Sequence, residues 1–363
     1  MRQNRPVARI ALTISTRVNA PSATLTTYRG AQIAIDELKA KSDLAYAFEL
    51  DAFDDWSDPT KTETMARSIV TDLSYVGVVG PMGSSEAFVN APIFNTAGLL
   101  QVSPCASHPD LCQSGYSTFF RLVPNETMQG HELARVARLL LKASKVAIVA
   151  DSDAFGQTVS DNFRHGFEGL GGRIVEMASF ERGSEEFGDL PDRVAAAGPD
   201  VVFFAVHSFE GQRVSRLLRE SGLRVPFLGT DGLKTSFFLG GGDSDGDAFH
   251  THSGADFRRL APAADFRSAY VARFPEDSTY SPEAYDAVML VAQAVLKAGS
   301  TDRARVLSAF RELDGSSGVT GVINFDLTGE RRDAPISLYK VNQVDGSRRM
   351  DYLGTTTDLC DPK

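Results

Sequence analysis

Two loops in the chain carry small hydroxyl-bearing residues at the ends of apolar runs: Gly80-Pro81-Met82-Gly83-Ser84-Ser85 and Ser103-Pro104-Cys105-Ala106-Ser107. The run before the first, Tyr75 to Val79, is β-branched and aromatic, and after Ser84 the residues Ala87, Phe88, Ala91, Ile93 and Phe94 fall at helical spacing. A helix start leaves N–H groups without intrahelical partners at the positive end of the helix dipole, so a carboxylate or phosphate is stabilised there. The pattern predicts a receptacle for a small anion.

Other chemistries lack their residues. The chain has neither a GxSxG elbow nor a Walker pattern ending in Gly-Lys-Ser/Thr. Gly77, Gly80 and Gly83 form GxxGxxG after a strand, but the first spacing is wrong for a dinucleotide fingerprint and Pro81 stiffens the turn. Of six histidines (His108, His131, His165, His207, His250, His252) only the last two are close neighbours, and the reading there is a turn or hinge segment. Asp243, Asp245 and Asp247 have calcium-loop spacing, yet Gly254 stands where the closing Glu is required, so a flexible acidic turn is expected. No cofactor and no metal are expected.

The elements that must position the two loops alternate from the start. Strand-like Val7 to Ile14, Tyr46 to Phe53, Tyr75 to Val79 and Leu99 to Val102 are separated by helical patterns, which predicts a parallel sheet covered by helices. The rhythm pauses at Phe119 to Pro124. A second βα series then runs from Glu126 to Gly229, with strands at Lys145 to Ala150, Arg173 to Ser179, Val201 to Val206 and Pro226 to Gly229. Three helical patterns follow (Ala263 to Phe274, Pro282 to Ala298, Thr301 to Leu313), then strand-like Val322 to Phe325 and Ile336 to Val341. The helices bring no strands of their own, so they must cover an existing sheet. If they return to the first unit and the last strand to the second, the chain crosses three times, near Leu122 to Val123, His250 to Ser253 and Asp326 to Gly329. The expected fold class is α/β: two doubly wound parallel-sheet lobes joined by a three-crossing hinge, with a cleft that closes on a ligand. The lobes are 1–122 plus 254–328 and 123–253 plus 329–363.

Composition bounds the partners. At 363 residues the chain exceeds the size at which a single core stops growing. A formal charge of −10, without a basic stripe, argues against nucleic acid and anionic membrane surfaces. No apolar run reaches membrane-spanning length, and no secretion signal precedes the first strand. Three cysteines (Cys105, Cys112, Cys360) are too few for a disulfide scaffold, although Cys105 and Cys112 can close a short local loop. Trp56, beside Asp54, Asp55 and Asp58, is given a structural role next to the second strand.

In order and spacing, several stretches resemble the type I periplasmic solute-binding proteins of ABC transporters, in particular the leucine/isoleucine/valine-binding family, over nearly the whole chain. They are Tyr28-Arg29-Gly30-Ala31, Asp54-Asp55 with Asp58-Pro59, Val79-Gly80-Pro81 before Ser84, Ser103 to Ser107 with Pro109, and Phe119-Phe120-Arg121 with Gln129-Gly130. Ala154-Phe155-Gly156-Gln157, Pro199-Asp200-Val201-Val202, Gly229-Thr230-Asp231-Gly232 and Tyr285-Asp286-Ala287 continue the series. The resemblance implies a clamshell of the periplasmic-binding-protein-like I fold that holds an amino acid or related small carboxylate without transforming it. It implies a carboxylate held by Ser84 and by the Ser-Pro loop through Cys105, Ala106 and Ser107, and an ammonium held by Asp231 and the residue at His207. Phe155 would close over the ligand with a ring face. Ser84 is expected in a joint role, capping its helix and touching the ligand. The resemblance further implies an ABC permease partner, a monomer, and a periplasmic or extracellular address, lipid-anchored or not, whose oxidising conditions would allow a Cys105–Cys112 bridge. A ligand-sensing receptor domain of the same fold is the alternative, and a nucleotide-dependent enzyme the more distant one.

Overall fold

The structure, a computed structural model, describes residues 5–15, 21–206, 208–233, 247–254, 256–274, 279–313, 315–344 and 347–361. By internal contacts the chain divides into two units, Met1–Pro124 with Asp256–Ala334, and Asn125–Ala255 with Pro335–Lys363.

The first unit is built on five parallel strands: β1 (Val7–Ile14), β2 (Ala47–Asp54), β3 (Tyr75–Val79), β4 (Leu100–Ser103) and β5 (Phe119–Arg121). Their order in the sheet is β2-β1-β3-β4-β5. All residues of β3 and β4 are buried, because helices cover both faces of a parallel sheet and leave no face to alternate toward water. One face packs Ile10, Leu12, Val76, Val79, Leu100 and Val102 against Ile33 and Ala34 of the helix Pro21–Ala40 and against Val288, Val291 and Val295 of the helix Ser281–Ala298. Phe266 and Tyr270 (helix Ala264–Arg273) and Val306 and Phe310 (helix Arg303–Arg311) join the same core, so the three late helices do cover this sheet.

The second unit holds β6 (Lys145–Asp151), β7 (Arg173–Phe180), β8 (Val201–Ala205), β9 (Phe227–Gly229) and β10 (Ala248–His252). The short hairpin of β11 (Ser316–Gly318) and β12 (Gly321–Ile323) belongs to the first unit, and β13 (Ser337–Val344) with β14 (Ser347–Thr355) to the second. The larger sheet runs β14-β13-β10-β9-β8-β6-β7, with β13 antiparallel to both β10 and β14. Strand alternation splits its core: Phe203 faces Phe163 and Phe167, while Val202 and Phe204 face Leu190, Val194, Val214 and Leu218.

Three features differ from the sequence expectation, the first being β14, which no apolar run announces. His250 and His252 are not in a turn: they lie in β10, buried, with the His250 ring stacked 5.5 Å from that of Tyr339. The last passage of the chain falls at Ala334/Pro335 rather than at 326–329. Residues 329–334 stay with the first unit because Gly329 lends its carbonyl to the Arg121 N–H at 3.1 Å and Arg331 donates to the Thr320 hydroxyl at 2.9 Å.

Candidate functional site

In the first sheet the chain runs from β1 outward to β2, then crosses to β3 on the other side of β1, so the order reverses between β1 and β3. In doubly wound sheets the crevice beyond the strand C-termini at such a reversal is where ligands bind. Ser84 follows β3 and the Ser103–Ser107 loop follows β4, so both expected loops stand at this edge.

Gly80 turns the chain with φ of +117°, and a Cβ there would fall 2.3 Å from the Thr13 hydroxyl. The Gly80–Pro81 peptide is cis. The two loops are tied together by short polar contacts. The Ser103 hydroxyl donates to the Pro81 carbonyl at 2.9 Å and accepts from the Ala106 N–H at 2.9 Å. Ser84 Oγ accepts from the N–H groups of Ser107 at 3.2 Å and His108 at 3.1 Å. A hydroxyl has two lone pairs and one proton. With both lone pairs engaged and the side chain only half-buried, what Ser84 offers outward is a single O–H donor, the polarity an anion requires.

Ser84 is not the cap of its helix. Gly83 holds that position with extended backbone, and Ser84 is the first helical residue of Ser84–Thr96. Glu86, buried, folds back so that its carboxylate occupies the space beside Gly83, 1.9 Å from where a Cβ would sit. The helix start is therefore met by an acid of its own, and the capacity for an anion rests on the Ser84 hydroxyl and the Ser107 loop rather than on bare helical N–H groups.

Sequence reasoning missed further groups at this edge. Asp55, wholly buried after β2, accepts from the Ser57 N–H at 3.0 Å, and burial pushes its carboxyl up to about 6, with the nearby Glu86 charge adding to the effect. Arg121, at the end of β5, is buried against the carbonyls of the 106–109 loop. An arginine closing a Phe-Phe run in a buried strand was the available signal, since such a charge must be paired inside. Cys105 is half-buried and Ala106 and Cys112 are buried; no disulfide joins Cys105 to Cys112, and burial pushes the Cys112 thiol up to about 12.

The second sheet repeats the pattern, with the order β7-β6-β8-β9 reversing between β6 and β8. Phe155 follows β6 in the first turn of the helix Ala154–Gly169, where Asp153 caps by accepting from Gly156 N–H at 2.8 Å. Its ring is half-buried and packs on the core. Asp231 follows β9, half-buried, and its Oδ2 accepts from the Ser253 hydroxyl at 2.6 Å. His207 lies outside the described residues, as do Asp243 and Asp245. Ser84, Cys105, Ala106 and Ser107 are thus gathered within the first unit, whereas Phe155 and Asp231 stand at strand ends of the second unit's sheet, with β8 between their strands. Among the described residues no three His, Cys, Asp or Glu side chains gather as a metal site, and no helix is long and apolar enough to cross a membrane.

A family model described as periplasmic binding protein matches residues 14–347. A Leu/Ile/Val-binding protein of Rhizobium johnstonii is 28% identical over 314 residues, which cover 86% of this chain and 85% of the relative. A leucine-binding protein of Thermotoga maritima has a structure that matches with a TM-score of 0.85 at 22% identity, over 96% of this chain and 98% of the other. The branched-chain amino acid transporter substrate-binding protein of Streptococcus pneumoniae, solved in complex with isoleucine, gives 0.84 at 21% identity over 96% and 99%. At these identities the two structures speak to the fold.

Proposed function

The chain belongs to the type I periplasmic binding proteins, in the leucine/isoleucine/valine-binding family, and from that premise we propose that it captures a branched-chain or closely related amino acid outside the cytoplasm and delivers it to an ABC permease. The family is one of substrate-binding proteins rather than enzymes, and here the bound solute leaves unchanged. The observation that carries the reading is the Ser84 hydroxyl, whose two lone pairs are filled by Ser107 and His108 N–H groups at the sheet's reversal point. It meets the carboxylate of the amino acid together with the Ser107 hydroxyl, while Cys105 and Ala106, whose N–H groups go to Ser103 Oγ at 3.3 and 2.9 Å, hold the loop that carries it. Asp231, steadied by Ser253, meets the ammonium, and the Phe155 ring meets the apolar side chain. Each charge of a zwitterion withdrawn from water needs a partner, because an unpaired buried charge is costly. Charge-assisted hydrogen bonds return about 1.5–3 kcal/mol each.

Isothermal titration with the common amino acids tests the proposal, with Asp231→Ala beside wild type. At least one branched-chain or related amino acid should bind wild type. Asp231→Ala should weaken that binding by about a hundredfold, equivalent to about 2.7 kcal/mol. Silence of wild type across the panel, or undiminished affinity in the variant, refutes the assignment.

A further inference from the structure

Arg121 is wholly buried, and its guanidinium is spent in two directions. On one side Nε donates to Glu330 Oε2 at 2.8 Å, while Nη2 pairs with Oε1 of the same carboxylate. On the other, Nη1 donates to the carbonyls of His108 at 2.7 Å and Ala106 at 3.3 Å, and Nη2 to that of Pro109 at 3.4 Å. The loop that gives its N–H groups to Ser84 is therefore gripped through its carbonyls by one planar cation. Such a fork is rigid, because a guanidinium offers its donors in fixed directions.

Glu330 reaches this cation from 209 residues further along the chain. Its own placement is fixed twice: its N–H donates to Asp326 Oδ1 at 3.0 Å, and the preceding Gly329 carbonyl accepts from the Arg121 N–H at 3.1 Å. Gly329 has φ of +90°, and a Cβ there would fall 2.1 Å from the Phe119 carbonyl oxygen, so this approach requires glycine.

We propose that Glu330 is a positioning residue for ligand binding: acting through Arg121, it sets the place of the 106–109 loop and hence of the donors that Ser84 and Ser107 present to the carboxylate. The inference rests on the carboxylate reading of the Ser84 site. A buried ion pair adds little to stability compared with an apolar pair of similar volume, whereas breaking it on one side leaves a stranded charge. Affinity and stability can therefore be separated by the choice of variant.

The experiment titrates L-leucine, L-isoleucine and L-valine into the full chain as wild type, Ser84→Ala, Glu330→Gln, Glu330→Asp and the double variant Arg121→Met/Glu330→Leu, with melting temperature recorded for each without amino acid. Glu330→Gln should lower the melting temperature and raise Kd about tenfold, and Glu330→Asp, which keeps the charge, should recover part of both. The double variant, which removes the stranded charge but also the donors to three loop carbonyls, should melt no lower than Glu330→Gln while its Kd stays raised about tenfold or more. A double variant that melts and binds like wild type reduces the pair to a structural role and overturns the inference, and it decides the matter even if Glu330→Gln does not fold. Binding by wild type that Ser84→Ala weakens and no Glu330 variant alters also overturns it, leaving the carboxylate reading in place. Absence of binding by wild type removes that reading and this inference together.

Discussion

Replacing Ser84 by alanine removes one atom with three separable duties. As acceptor, Oγ holds the N–H groups of Ser107 and His108 at 3.2 and 3.1 Å. As donor, it carries the proton assigned to the carboxylate. A charge-assisted bond of this kind contributes about 1.5–3 kcal/mol, so its loss should raise Kd by about 10- to 150-fold. The two N–H groups sit in a half-buried loop that water can reach, so without amino acid the variant should lose only about 1–2 kcal/mol of stability. That corresponds to a few degrees in melting temperature. Ser84→Thr keeps the hydroxyl and should stay within a few-fold of wild type, which separates loss of the donor from any general disturbance of the helix start. Titration calorimetry gives the affinities and scanning calorimetry the stabilities. The decisive result is the pairing of the two: a lowered melting temperature with Kd unchanged within about twofold would mean that Ser84 is a loop tie and nothing more, and the deduction that its proton faces an anion would be wrong.

Two further substitutions probe buried acids of the first unit. Asp55 has a folded-state pKa raised by burial to about 6, above its ordinary value, so its penalty is fully present above about pH 6 and is relieved as pH falls toward 4; Asp55→Asn should therefore be more stable than wild type at pH 7 by about 2–3 kcal/mol, with the two converging near pH 4 in urea titrations. A difference that grows on acidification would contradict the assigned sign. Asp286, buried in the helix Ser281–Ala298, accepts from the N–H groups of Val319 at 2.8 Å and Thr320 at 2.9 Å and from the Thr320 hydroxyl at 2.6 Å, beside buried Arg331. Asp286→Ala removes the acceptor of the Val319 and Thr320 groups and one of the two buried carboxylates, with Glu283, that act on Arg331, and should cost about 3 kcal/mol, read as a lowered urea midpoint of the whole chain.

The parts of this architecture that could be read from sequence are those in which one local signal suffices. Tyr75 to Val79 and Val201 to Ala205 are unbroken apolar runs, which parallel strands buried on both faces require, and the hydroxyl-rich loops after β3 and β4 mark the strand ends where a doubly wound sheet binds. β10 escaped because Ala248–His252 carries two histidines next to an acidic, glycine-rich stretch; its burial comes from β9 and β13 on either side rather than from its own composition. β14, with the sequence SRRMDYLGT, lies at the edge of its sheet, where one side stays open and polar residues are tolerated, so no apolar pattern announced it. The return of Glu86 onto Gly83 follows the three-residue spacing of a capping box and was accessible to local reading, though glycine at the cap position hid it. No local rule pairs Arg121 with Glu330, because only the long excursion of the chain through the three late helices brings the second residue to the first.

Both sheets have the same strand order around their reversal points, and each disposes of its acids in its own way. In the first unit Asp55 is buried with its carboxyl biased toward the neutral form, and Glu86 is spent on its own helix start. In the second unit Asp231 follows β9 in a short turn, half-buried, with the Ser253 hydroxyl donating to it. In the proposed reading, a solute carrying only a carboxylate forgoes the contact with Asp231, and a bare amine forgoes the contact with the Ser84 hydroxyl. Each forgone charge-assisted contact should cost such a solute about 1.5–3 kcal/mol of affinity, which sets amino acids above simple acids and amines.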